Sequence, residues 1–442
     1  MTFSASAIII GGGLAGCEAA WQLARRGFHV QLYEMKPLRF SAAHKSPGLA
    51  ELVCSNSLRS SFISSAAGLL KEEMRHLDSL IMYAADKTAI PAGRALAVDR
   101  VKFSQLVEEK LMSLTPFFHL MRQEVASLPP ERPTIIATGP LTADALAVEL
   151  RKLTSSEYLY FYDAISPVIY AESIDYTKAF WASRYGEGAD YLNLPMNEAQ
   201  YLTFWQALLS ADTLPAHTFE DVRYFEGCLP IEVMAKRGKD TLRFGPMKPV
   251  GLTEPRNGIK PYAVVQLRKE NTEGTLLNMV GFQTRLRWPE QEKVFRLIPG
   301  LEKAEFARYG SIHRNTFVNS PALLNPALEL RDHAGLFLAG QITGVEGYIE
   351  SAAMGLLAGL AVACYLRKKE FLPPPPTTAI GALLTHITTA PKKDFQPMNV
   401  NFGLFPPLAK RLPIRERGHE YAKRALHDLR MWKENILKVL ED

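Results

Sequence analysis

The segment Ala7-Ile8-Ile9-Ile10-Gly11-Gly12-Gly13-Leu14-Ala15-Gly16 decides the fold of this chain. Its isoleucines read as a short buried strand, and residues 16–26 carry the apolar spacing of a helix that Gly27 ends. Residues 28–34 alternate like a second strand and close on Glu34. A bare GxGxxG is a weak signal. Set between a strand and a helix, with an acid ending the next strand, it is a dinucleotide fingerprint. Gly11 permits the tight turn, Gly13 lets the backbone approach a pyrophosphate, and Gly16 allows close helix–strand packing. The helix N-terminus faces the negative charge. Glu34 is placed to accept hydrogen bonds from a ribose hydroxyl, and its charge disfavours a 2′-phosphate. FAD or NAD therefore fits this site better than NADP.

Two later segments read as the same domain resuming. Residues 134–139 form a strand ending in a small-residue turn. Residues 335–344 repeat that pattern, with Gly340 and Gln341 in the turn and a helix from about 350 to 366 behind it. Between them the texture changes to aromatics, short strand-like runs and scattered Gly and Pro. The expected architecture is α/β: a discontinuous Rossmann-like dinucleotide-binding domain, residues 1–171 and 310–442, with an α+β domain inserted at 172–309. The proline run after Leu372 reads as a stiff extended connector leading to a helical tail.

Composition narrows the chemistry. At 442 residues, 47% hydrophobic and 22% charged, the chain is expected to be a soluble protein of two or three domains. The longest apolar run, residues 355–366, has the length of a core helix rather than a membrane span. Four cysteines without CxxC or His/Cys ligand spacing argue against a disulfide framework and a zinc site. Free thiols in a reducing cytoplasm are the expectation. From 410 to 438 there are nine Lys/Arg against four Asp/Glu, an excess of five that equals the net charge of the whole chain. That stretch is compatible with a polyanion and equally with a solvated helix face.

Two cysteines lie in polar, glycine-bearing surroundings. Cys54 precedes Ser55-Asn56-Ser57-Leu58-Arg59, and Arg59 could stabilise a thiolate there. Cys228 follows Gly227, with Lys236 and Arg237 downstream. Cys17 and Cys364 sit in apolar helical runs and read as small buried hydrophobes. The Lys236-Arg237-Gly238-Lys239 cluster and Lys248 suit a phosphate backbone. Tyr158, Tyr160, Phe161 and Tyr162 suit core packing or stacking on a flat heterocycle. His313 to Thr316 suits a structural loop or a ligand contact.

Several longer strings resemble one family: GLAGCEAAWQL (13–23), ELVCSNSLR (51–59), LKEEMR (70–75), FEGCLPIEVMAKRG (225–238), FGPMKPVGL (244–252), HRNTF (313–317), AGQITGVEGY (339–348) and FQPMNVNFG (395–403). They are similar to the folate- and FAD-dependent tRNA (uracil-5-)-methyltransferases, the TrmFO family, and to the related GidA-type flavoproteins. Gly12 stands where alanine is common. The resemblance implies FAD held by Gly11, Gly12, Gly13, Leu14, Ala15 and Gly16. It also implies 5,10-methylenetetrahydrofolate as carbon donor, NAD(P)H as reductant, the T-arm of tRNA as substrate, and neither membrane nor DNA as partner. Family roles fall on Cys54 and Cys228. C5 of uracil is a poor nucleophile until a thiolate adds to C6, so the reaction needs one nucleophile and one base. Cys228 is assigned the attack and Cys54 the proton, with the reverse left open. Three other readings compete: a paralogue acting on 23S ribosomal RNA, a small-molecule flavin oxidoreductase with a cysteine redox pair, and a non-catalytic flavin-bound scaffold.

Overall fold

The computed structural model describes residues 6–154, 159–184, 188–214, 229–393, 395–410 and 412–441. Side chains of residues 159–163, 314 and 441 are likewise left undescribed. Cys228, Tyr158 and the side chains of Tyr160, Phe161 and Tyr162 therefore lie outside what is described.

The fingerprint strand, Ser6–Ile10, lies at the centre of a five-stranded parallel sheet. His29–Glu34 flanks it on one side, followed by Phe118–Arg122. On the other side lie Thr134–Ile136 and then Leu336–Leu338. The last of these strands comes from a part of the chain some 200 residues beyond its neighbour, so the domain is closed by a late segment. Ser6–Ile10 and Thr134–Ile136 carry buried runs of isoleucine, as a strand covered on both faces requires, whereas His29–Glu34 buries alternate residues.

The helix Leu14–Ala24 packs against Tyr348–Leu366 at unusually short range. A Cβ at Gly355 would lie 2.2 Å from the Ala15 carbonyl oxygen, and one at Gly359 would lie 2.9 Å from that of Ala19. Glycine inside a helix costs about 0.5–1 kcal/mol relative to alanine. Here that cost is offset by backbone-to-backbone contact that no side chain would permit. Tyr348–Leu366, at 19 residues, starts two residues before the helix expected from about 350 and extends beyond the apolar run 355–366 at its N-terminal end. By length and composition alone it could cross a membrane, yet 89% of its apolar window is buried inside the protein. It is the core helix that joins the two ends of the parallel domain.

A second sheet of six antiparallel strands runs in the order Phe180–Ala182, Tyr191–Met196, Ala263–Lys269, Leu276–Met279, Val168–Tyr170, Phe306–Arg308. The helices Glu198–Ser210, Ile231–Lys236 and Trp288–Phe295 contribute to its core around Tyr201, Phe204, Phe282 and Phe295. A two-stranded ribbon, Leu159–Ile165 with Ser311–Phe317, links this unit to the parallel domain. The helix Ile414–Glu441 turns Ala422, Ala425, Leu429, Trp432 and Ile436 inward, so the basic stretch near the C-terminus is an amphipathic helix packed on the main core.

A candidate active site joining a dinucleotide cradle to a thiol

The cradle follows from its glycines. Gly11 has φ +107°, and a Cβ there would lie 2.5 Å from the Ala137 carbonyl oxygen of the neighbouring strand. A Cβ on Gly16 would lie 1.9 Å from the Gly11 carbonyl oxygen, so the helix can start against the turn only without a side chain. Gly12 donates its N–H to Glu34 Oε2 at 2.8 Å, and a Cβ there would meet both that oxygen and Leu49. The alanine common at this position in the fingerprint would collide in this chain. Gly13 caps the helix Leu14–Ala24 with no side chain in the way, and nothing lies within 4 Å of where its Cβ would be. That open side is a cavity of about 450 Å³, within the usual range for a small-molecule site.

Gly11, Gly13, Leu14, Ala15, Glu34, Gly340 and Gln341 all line this cavity; Gly12 and Gly16 do not, and act by shaping the turn. Glu34 is nearly buried, and Lys36 donates its N–H to the second carboxylate oxygen, Oε1, at 2.9 Å. Both oxygens thus carry a backbone donor, and their remaining lone pairs are what a ribose hydroxyl would meet. Across the cavity Gly340 has φ +82°, and Gln341 donates from Nε2 to Glu346 Oε2. The donors and the open helix end fit the pyrophosphate and ribose of FAD.

Cys54 lines the same cavity. Its segment is bonded directly to the fingerprint, since Ala50 donates its N–H to the Gly12 carbonyl at 2.9 Å. Arginines from distant parts of the chain hold it from behind. Arg308 donates to the Val53 and Cys54 carbonyls at 3.0 and 2.8 Å, and Arg100 to those of Leu52 and Cys54. Arg100 in turn pairs with the buried Glu270 at 2.6 Å. Arg268 donates to the side chains of Ser55 and Asn56. On the cavity side Cys54 donates its own N–H to the Tyr348 hydroxyl at 2.6 Å. Burial, and then the neighbouring Cys54, push the Tyr348 phenol up, so it keeps its proton. Arg59 is committed elsewhere: it pairs with Glu350 at 3.0 Å, and both line the cavity. Sequence reasoning missed Arg100, Arg268, Arg308 and Tyr348, because nothing local marks a residue that acts through a carbonyl far along the chain.

The other thiols differ. Burial, and then Glu34, push the Cys17 thiol up; burial pushes Cys364 up to about 11, and both are wholly enclosed. They are packing residues. His313 and Asn315, for which the sequence leaves a structural loop and a ligand contact equally open, stand on the strand Ser311–Phe317 and line the cavity. Burial holds the His313 imidazole down at about 4, helped by the cations around it. The folded protein therefore keeps His313 neutral where an unfolded chain would protonate it, below pH ~6.5. Its contribution to stability is present above that pH and is lost as the pH falls from there towards 4. In thermal melts, His313→Gln is expected to lose less stability than the wild type between pH 7 and pH 5; parallel losses would remove this role.

A two-part dinucleotide-binding domain that presents a thiol to its cofactor cavity defines the class of this protein. The chain matches the family model described as glucose inhibited division protein A over residues 6–370. It is 60% identical over 436 residues to the methylenetetrahydrofolate--tRNA-(uracil-5-)-methyltransferase TrmFO of Syntrophus aciditrophicus, covering 98% of both chains. It is 59% identical to the protein of that name from Geobacter sulfurreducens, covering 96% of this chain and 98% of that one. Among solved structures, Aquifex aeolicus GidA aligns with a TM-score of 0.70 at 16% identity, covering all of this chain and 76% of that one. The chain belongs to the GidA family of FAD-binding fold, and within it to the TrmFO group.

Proposed function

We propose that this protein methylates C5 of a T-loop uridine in tRNA, with 5,10-methylenetetrahydrofolate as carbon donor and NAD(P)H as reductant, in the cytoplasm. The observation that carries the reading is one cavity that joins the fingerprint turn to Cys54. Its relatives' shared name supports the substrate. FAD, which the cradle fits, supplies when bound the redox chemistry that brings a one-carbon unit from the methylene to the methyl level.

The protein's own residues supply the rest. Gly11, Gly13 and the helix end would hold the pyrophosphate of FAD, with Leu14 and Ala15 beside it, and Glu34 would meet the ribose. The Cys228 thiolate adds to C6 of the uracil, forming an S–C6 bond and leaving C5 nucleophilic. After the carbon is transferred, Cys54 removes the C5 proton at Sγ and the S–C6 bond breaks, restoring the aromatic base. The arginines behind Cys54 keep its backbone still, so that Sγ meets one position. The target base has to leave its stack for C5 to reach the cavity wall that carries Cys54.

The test is 5-methyluridine formation by purified protein with methylenetetrahydrofolate and NADPH. Unmodified tRNA and a 23S ribosomal RNA fragment are supplied separately. Methylation of tRNA alone is expected. Methylation of the ribosomal fragment alone would move the protein to the paralogous reaction, and methylation of neither would overturn the reading.

A further inference from the structure

Residues 236–262 of the antiparallel unit hold seven Lys/Arg against two acids, Asp240 and Glu254, an excess of five in 27 residues. This is not a loose loop. Leu242 and Met247 are anchored in the unit's core, and Leu252 packs with Phe180 and Val264. Backbone bonds tie Met247 to Leu242 at 2.8 Å and Val264 to Met247 at 3.1 Å. Between its anchors the segment displays Phe244 at 83% exposure, with Val250 at 53% and Ile259 at 62%. Single exposed apolar side chains are ordinary; these three are set apart by sharing one 27-residue segment with the basic excess. Lys239, Arg243 and Arg256 have carboxylate partners. Among the described residues Lys236, Lys248 and Lys260 form no ion pair.

The face adjoins the cavity. Ile231 donates its N–H to the Gln283 carbonyl at 2.7 Å, and Glu232 accepts from Thr284 Oγ1 and the Arg285 N–H. Gln283 itself lines the cavity. At the other end Pro246 packs so closely on Gly281 that a Cβ there would lie 2.6 Å away. The helix Ile231–Lys236 that leads into the basic segment, and Pro246 within it, are therefore both held against the strip 281–285, of which Gln283 lines the cavity. The stretch 410–438, most of it in the helix Ile414–Glu441, has the same charge excess but uses it differently. Its cations alternate with Glu416, Glu420, Asp428 and Glu434. Arg417, Arg424 and Lys433 are bonded to backbone carbonyls of the protein.

We propose that the 236–262 face is where folded tRNA docks, with Lys236, Lys248 and Lys260 on backbone phosphates and Phe244 stacked on an unpaired base. The inference rests on the methyltransferase reading and adds the surface that delivers the uridine. Phosphate contacts give affinity that falls with salt, and an exposed ring stacks on any base, so cations around an aromatic fit RNA better than a protein partner.

The test compares FAD-loaded wild type, Lys236→Gln/Lys248→Gln/Lys260→Gln, Phe244→Ala and Phe244→Trp. Affinity for unmodified tRNA is measured across a salt series, with kcat at saturating tRNA. The triple variant is expected to bind about 10- to 100-fold more weakly, with a log–log salt slope shallower by about 2–3. Phe244→Ala is expected to lose about 5- to 100-fold and Phe244→Trp to restore it. Flavin content, melting temperature and kcat are expected to stay at wild-type values. Wild-type affinity and slope in the triple variant would overturn the proposal, as would a change in oligomeric mass with tRNA affinity unchanged, which marks a protein interface. A wild type that neither binds nor methylates tRNA overturns the methyltransferase reading as well. Wild-type methylation with unaffected variants overturns the docking face alone.

Discussion

Cys54→Ala is expected to lower single-turnover methylation by about 10²- to 10⁴-fold, the usual contribution of a positioned acid or base, while FAD content and tRNA affinity stay unchanged. Cys54 is half-buried at the cavity wall, and its backbone is held by Arg100, Arg308 and Tyr348, while its Sγ makes a long contact of 4.0 Å with the Ala164 carbonyl. Removing the sulfur should therefore leave the wall in place. Arg308→Gln tests the wall itself. It removes the donors to Val53 and Cys54, and a shift of about 1 Å at the thiol is expected to cost on the order of 10²-fold. With 5-fluorouridine tRNA, the covalent adduct should form in Cys54→Ala and fail in Cys228→Ala. The opposite pattern would reverse the two roles, and a Cys54→Ala enzyme within tenfold of wild type would remove Cys54 from the chemistry.

The second large effect separates two glycines three residues apart. Gly16→Ala places a Cβ where the Gly11 carbonyl stands, 1.9 Å away, so the turn must open. Overpacking of this kind costs about 1–3 kcal/mol, and the protein is expected to melt earlier and purify colourless. Gly13→Ala meets nothing within 4 Å, so the apo-protein should melt like wild type. Its methyl group instead enters the cavity at the helix end, and FAD affinity is expected to fall at least tenfold, equivalent to ~1.4 kcal/mol. Calorimetry and flavin titration read the two apart. Equal behaviour of the two variants would show that the turn does not work as its geometry implies.

The contrast shows what was legible in advance. The strand–turn–helix could be read because each glycine answers a local demand, and local demands leave local patterns. Cys54 could be flagged by its polar neighbours. Its supports could not, since Arg308 lies 254 residues away and acts on a carbonyl, a group every residue has. Arg59 misled for the same reason: proximity in sequence pointed it at Cys54, whereas the fold brings Glu350 to it across 291 residues. For His313 the polar neighbours leave loop and ligand contact equally open, and only the fold, which sets His313 and Asn315 on a strand in the cavity wall, separates the two. The helix Tyr348–Leu366 was legible to within two residues of its start, because its apolar run is continuous from Gly355 and its first turn carries Glu350 after the glycines of the turn.

The contact between Ala15 and Gly355 also sets a timetable. These residues are 355 − 15 = 340 positions apart, and the strand Leu336–Leu338 completes the sheet only shortly before Gly355. At about 5–20 residues per second, a ribosome needs roughly 17–70 s between them. Throughout that interval the small-residue face of Leu14–Ala24 waits without its partner, and once Thr134–Ile136 has been made its outer edge stays unpaired until Leu336–Leu338 follows. Meanwhile the antiparallel unit emerges whole, with a core of its own. The nascent chain thus passes through a stage in which its younger part is ready to fold and its oldest part is not, and that is when a chaperone has most to hold.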